Sequence, residues 1–162
     1  MTDDIQYGQL ELREGGRRLL LHNGLTEQQL TGSDMYKHLS VEVRDLGNGN
    51  VWHNLGCIQV SNMPFYVSLC FRTPCLVCAY LSADRSDFPK SWEEWSEEAE
   101  LVKKQLHDRF LVDMLGRQPD VRRSHPYPYV EYRMAWGTVN SSYDPRSAAS
   151  TIGIHYDLEA SP

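Results

Sequence analysis

Residues 40–81 read SVEVRDLGNGNVWHNLGCIQVSNMPFYVSLCFRTPCLVCAYL, and this stretch decides the fold. Within it, Gly47-Asn48-Gly49-Asn50 is a hairpin signal, because Asn48-Gly49 accepts the positive φ that a tight turn demands. It joins a strand over 40–46 to one over 51–60. Asn62 to Pro64 break the chain again. Two apolar runs follow, 65–71 and 75–81, linked by Arg72-Thr73-Pro74. The stretch predicts a meander of about four antiparallel strands.

Downstream, Ser91 with Glu94 three residues on forms a capping box, with Pro89 just upstream. Trp92, Trp95, Ala99, Val102, Leu106, Phe110 and Met114 recur at spacings of three or four, an apolar helical stripe. Glutamates crowd the early turns, and Lys103, Lys104 and Arg109 follow, as the helix dipole favours. Gly116 and Pro119 end the run. The spacing predicts one long helix over about 91–115. Trp92 and Trp95 are expected to anchor it to the sheet, with Trp136 against it. A polar linker, Arg117 to His125, leads to a strand over 129–139, a Ser-rich loop over 141–150 and a last strand over 151–156.

Upstream, residues 17–21 form a candidate strand after the Gly15-Gly16 turn. Thr26 with Gln29 is a capping box for a short helix ending near Gly32. Met35 to Val43 read as a further strand. Residues 1–162 are expected to form one domain of class α+β: a curved antiparallel sheet of about six to seven strands with the long helix on one face.

The 162 residues hold 16 basic and 22 acidic side chains, a formal charge of -6. That balance argues against nucleic acid and weakly favours a basic partner. No run of 18 apolar residues exists, so no membrane span is expected. Met1 to Gln6 lack the basic start and apolar core of a signal peptide, which points to the cytoplasm and to reduced thiols. Cys57, Cys70, Cys75 and Cys78 sit mostly in apolar β-type runs and read as structural thiols, with metal or redox use as the lesser alternatives. On a straight strand Cys75 and Cys78 would face opposite sides. No nucleotide, zincin or zinc-finger motif is present, and the scattered histidines show no dependable metal spacing, so no cofactor or metal is expected.

The most distinctive stretch is Trp136-Gly137 through Ser147. Gly137 can permit a bulge or close backbone approach. Asp144-Pro145 is a turn former, and Arg146 can pair with Asp144 or with the helix carboxylates. A binding patch would use Tyr143, Asp144 and Arg146 with Glu97 and Glu98. A second candidate is His107 with Asp108, which could suggest acid–base chemistry, although adjacent helical residues do not face each other.

Trp95-Ser96-Glu97-Glu98, His107-Asp108, Leu115-Gly116, Trp136-Gly137, Ser142 to Ser147 and Ile152-x-Ile154-x-Tyr156 together resemble a family of small, uncharacterised bacterial proteins. The resemblance covers about residues 90–156. It implies a cytoplasmic immunity protein of a polymorphic toxin or contact-dependent secretion system, whose partner is a cognate protein toxin. It carries no catalytic assignment. The contrasting expectation is a small enzyme or ligand-binding protein with a site near His107 and the Tyr143–Arg146 loop.

Overall fold

The computed structural model describes residues 4–72 and 74–157. A short 3-10 turn, Ile5–Tyr7, precedes the hairpin of β1 (Leu10–Glu14) and β2 (Arg17–Leu21). Two one-turn helices follow, α1 (Glu27–Thr31) and α2 (Asp34–His38). Next come β3 (Glu42–Asp45), β4 (Asn50–Val60), β5 (Met63–Arg72) and β6 (Cys75–Ala83), which are the expected meander. The long helix α3 (Glu97–Leu115) leads to β7 (Val121–Arg123), β8 (Tyr129–Met134), β9 (Gly137–Asp144) and β10 (Ala149–Tyr156).

Among the described residues ten strands join one antiparallel sheet: nine run in the order β2-β1-β4-β5-β6-β10-β9-β8-β7, and β3 lies off this path beside β4. β4 is long enough to take two neighbours along one edge. Its residues 51–54 pair with β3, and Gln59 and Val60 pair with β1. The path has two ends that do not meet. The expected curved sheet of about six to seven strands is therefore corrected to an open sheet of ten, neither curved nor closed.

The extra strands have local causes. The stretch 129–139 breaks at Ala135-Trp136 into β8 and β9, because Gly137 passes so close to β10 that a Cβ there would lie 1.9 Å from the His155 carbonyl oxygen. The polar stretch 141–150 is not a loop: Ser141 to Asp144 pair residue by residue with Ala149 to Ile152. The polar linker contains β7. Met35 is helical rather than extended, because Ser33 Oγ caps α2 by accepting the Tyr36 N–H at 3.2 Å. The Thr26/Gln29 capping box is present as expected, with both reciprocal bonds formed.

The helix starts at Glu97, not near 91, because Ser96 Oγ accepts the Ala99 N–H and takes the cap. Ser91 instead accepts Glu94 N–H in a separate turn. The buried face overlaps the expected stripe at Leu106, Phe110 and Met114 but also takes in residues outside it. Lys104, His107, Phe110 and Leu111 are buried, while Val102 is 50% exposed. Buried His107 finds a partner beneath the helix in the Ala83 N–H, and Lys104 finds one on the helix itself in Asp108, which apolar periodicity does not register.

The core lies between the α3-side face of the sheet and the elements packed on it. Leu12, Val60, Phe65, Leu69, Leu81, Val139 and Ile152 are fully buried there. Trp136 packs on the N-terminal turn. Its indole N–H donates to the Gln6 carbonyl at 2.9 Å, and Tyr156 O–H donates to the Gly8 carbonyl at 2.9 Å. At the other end, buried His53 holds α1 and α2 to β4, with Nε2 2.7 Å from Glu27 and Nδ1 2.9 Å from the Tyr36 hydroxyl.

Candidate functional site

The β9–β10 turn meets the start of α3 at one end of the sheet, and three hydrogen bonds join them. Trp95 Nε1–H donates to the Ala148 carbonyl at 2.9 Å, Tyr143 O–H donates to Glu97 at 3.3 Å, and Ser150 O–H donates to the Glu100 carbonyl at 2.6 Å. Tyr143 is buried, and its ring packs edge-on against Tyr127 at 5.2 Å. Burial and the Glu97 carboxylate hold its phenol above the usual tyrosine range.

Asp144 shapes the turn itself. Its carboxylate accepts the Arg146 N–H at 2.9 Å and the Ser147 hydroxyl at 3.2 Å. Arg146 stays exposed beside a cleft of about 370 Å³ whose walls include Tyr127, Tyr129, Tyr143 and Arg123. Glu98 is exposed on the far side of α3, against Phe88 and Val102. Of the expected binding set, Tyr143, Asp144, Arg146 and Glu97 thus lie at one rim, and Glu98 faces away from the turn.

Trp92 does not anchor the helix. It is 76% exposed, stands 6.3 Å from Trp95 between ring centres, and belongs to a segment in which Glu93, Glu94, Glu97 and Glu98 are exposed. The two indoles line a cleft of about 260 Å³ with Pro89, Ser147 and Ala148. Only Trp95 is held by the fold.

His107 lies elsewhere. It is 0% exposed under α3, and its Nε2 accepts the Ala83 backbone N–H at 3.0 Å. That acceptor role places the ring proton on Nδ1, which finds no hydrogen-bond partner. Burial first, then Lys103 and Lys104, push its pKa down to about 3. The ten residues between Glu97 and His107 span about 15 Å of helix, so His107 does not share the rim site. Asp108 instead pairs with Lys104, both oxygens at 2.8 Å from the ammonium. Lys104 is only 2% exposed, and burial lowers its pKa against the pull of Asp108.

No group of three or more metal-binding side chains occurs among the described residues. No helix among them is long and apolar enough to cross a membrane. Sequence reasoning missed the exposure of Trp92 and the part played by Tyr127; the neighbouring glutamates give no signal, since they flank half-buried Trp95 just as closely. No protein-family model, curated protein or solved structure matches the chain.

Proposed function

We propose that this chain is a protein-binding module, an immunity protein that works in the bacterial cytoplasm by covering a cognate, basic protein toxin. The observation that carries the reading is Trp92: a large indole held three-quarters in solvent, on a segment whose Glu93, Glu94, Glu97 and Glu98 are all exposed. Interface hot spots are enriched in tryptophan, and an acidic surround steers a basic partner and orients it. The cleft beside Trp92 offers a partner side chain a place to insert, and the rim bonds to Tyr143 and Ala148 keep that cleft in shape. The net charge of -6 suits the same partner and disfavours nucleic acid.

The contrasting reading, a small enzyme or ligand-binding protein, keeps the Tyr143–Arg146 cleft but loses His107 to the core. That cleft is lined by His125 and Asp144 as well as by Tyr127, Tyr129 and Tyr143, so this reading rests on the rim alone.

The test is coexpression with the effector encoded beside this chain. The expected result is a stoichiometric complex, survival of the host cell, and an association rate that falls with added salt. Absence of such an effector, or an effector that neither binds nor is neutralised, overturns the proposal.

A further inference from the structure

We propose that Cys70 and Cys78 form a modification site, a dithiol that a small hydroperoxide closes to a cross-strand disulfide on the sheet face opposite α3. The register carries this. Cys70 on β5 lies directly opposite Cys78 on β6. Directly paired residues in an antiparallel ladder have Cα atoms about 4.5–5.5 Å apart, inside the 4.4–6.8 Å range that disulfides span. The two thiols are close enough to perturb one another, as their direct pairing requires.

The pair sits in a row that crosses seven strands: Arg44, Trp52, Cys70, Cys78, His155, Thr138 and Arg133 are each directly opposite the next. Trp52 and Cys70 are neighbours in that row, and the Trp52 ring stands 5.2 Å from that of Tyr80. Cys70 and Cys78 are only 3% and 7% exposed. That cover excludes a bulky disulfide reagent and admits a small peroxide. The other two cysteines lack the arrangement: Cys75 pairs with Arg72, and exposed Cys57 pairs with Tyr66 and donates to Asp84.

The chemistry balances in two steps. The Cys70 sulfur, losing its proton, attacks a peroxide oxygen; the O–O bond breaks, and the leaving alkoxide takes up a proton to depart as alcohol, or as water from hydrogen peroxide. Cys70 is then a sulfenic acid. The Cys78 sulfur attacks that sulfur, the S–S bond forms, the S–O bond breaks, and water leaves with the Cys78 proton. Two thiols are oxidised by two electrons and one peroxide is reduced. Burial raises both thiol pKa values, Cys78 to about 12, which keeps the first step slow and sets a high oxidant threshold. The second step is intramolecular between directly paired residues and is fast.

The experiment uses the full chain as C57S/C75S, treated with hydrogen peroxide, quenched, unfolded and alkylated. A loss of 2 Da, with both thiols blocked together and restored by dithiothreitol, is expected. Adding W52A should speed closure about tenfold by removing cover. Adding C70S should abolish the 2 Da loss and leave only oxygen adducts on Cys78. Peptide mapping of the peroxide-treated wild-type chain for a 70–78 link gives the same answer if the double variant folds poorly. Oxygen adducts of 16, 32 or 48 Da without the linked species overturn the proposal. So does a Cys70–Cys78 pair still fully alkylatable when Cys57 is fully oxidised.

Discussion

His107 and Ala83 are joined by a hydrogen bond that works only with a neutral imidazole: Nε2 accepts the Ala83 N–H at 3.0 Å in a fully buried setting. Protonation would turn that acceptor into a second donor facing a donor. Burial first, then the Lys103 and Lys104 ammoniums, push the His107 pKa down to about 3, and the neutral ring is the form the Ala83 bond requires.

The unfolded chain takes up a proton on the same imidazole near pH 6.5, so between about pH 6.5 and 3 it binds more protons than the folded chain. Stability is therefore lost as pH falls through that window, by up to about 1.4 kcal/mol per pH unit from this group. The variant H107Q keeps an acceptor for Ala83 but does not titrate. Urea unfolding from pH 7.5 to 4 should show wild type losing stability faster than H107Q, and parallel curves would remove His107 as the cause.

Trp92→Ala separates binding from folding. The exposed ring supports little of the core, so unfolding free energy should change by less than about 0.5 kcal/mol. Affinity for the partner should fall at least about 30-fold, as for a hot-spot residue. Calorimetric titration beside urea unfolding checks both numbers.

Trp95→Phe removes the indole N–H that reaches Ala148 while keeping an aromatic ring. It should cost about 1 kcal/mol of stability. Paired with Tyr143→Phe in a double-mutant cycle, it should show coupling above about 0.5 kcal/mol, since both side chains fix one turn against one helix end.

Lys104 and Asp108 form an unequal pair. Asp108→Asn strands a buried ammonium and should destabilise by about 3 kcal/mol. Lys104→Met removes the charge that needs compensation, leaves Asp108 partly solvated, and should stay within about 1 kcal/mol of wild type. Equal losses in thermal or urea unfolding would contradict this asymmetry.

Gly137→Ala should be severe, about 4 kcal/mol or more, because its Cβ would lie 1.9 Å from a backbone oxygen that cannot move without breaking the β9–β10 ladder. Gly153→Ala meets only the Asn140 and His155 side chains at 3.0 Å, which can turn aside, and should cost about 1 kcal/mol. Urea midpoints of the two variants give the comparison.

Much of the fold was legible in local chemistry. The Asn48-Gly49 turn, the Thr26 capping box, the β3–β6 meander and the Gly116 stop all depend on residues within a few positions of one another. The candidate rim was legible in part, since Asp144 builds its turn from Arg146 and Ser147 nearby, but Glu97 reaches it only across 46 positions of chain. The choice between Ser91 and Ser96 as helix cap was not legible, because both offer a serine oxygen to an N–H three residues on.

By itself the sequence determined the Thr26 cap, the Gly116 stop and the turns of the β3–β6 meander, because those depend on φ preferences and short side-chain bonds. Only the tertiary structure decided which strands are neighbours, which face α3 buries, that Trp92 is left in solvent, and that Cys70 meets Cys78. These depend on partners distant along the chain: the Ala83 N–H claims His107, the Ala148 carbonyl claims Trp95, and the β5–β6 register aligns the thiols. Burial of polar groups demands such partners, and no periodicity of apolar residues records where they will be found.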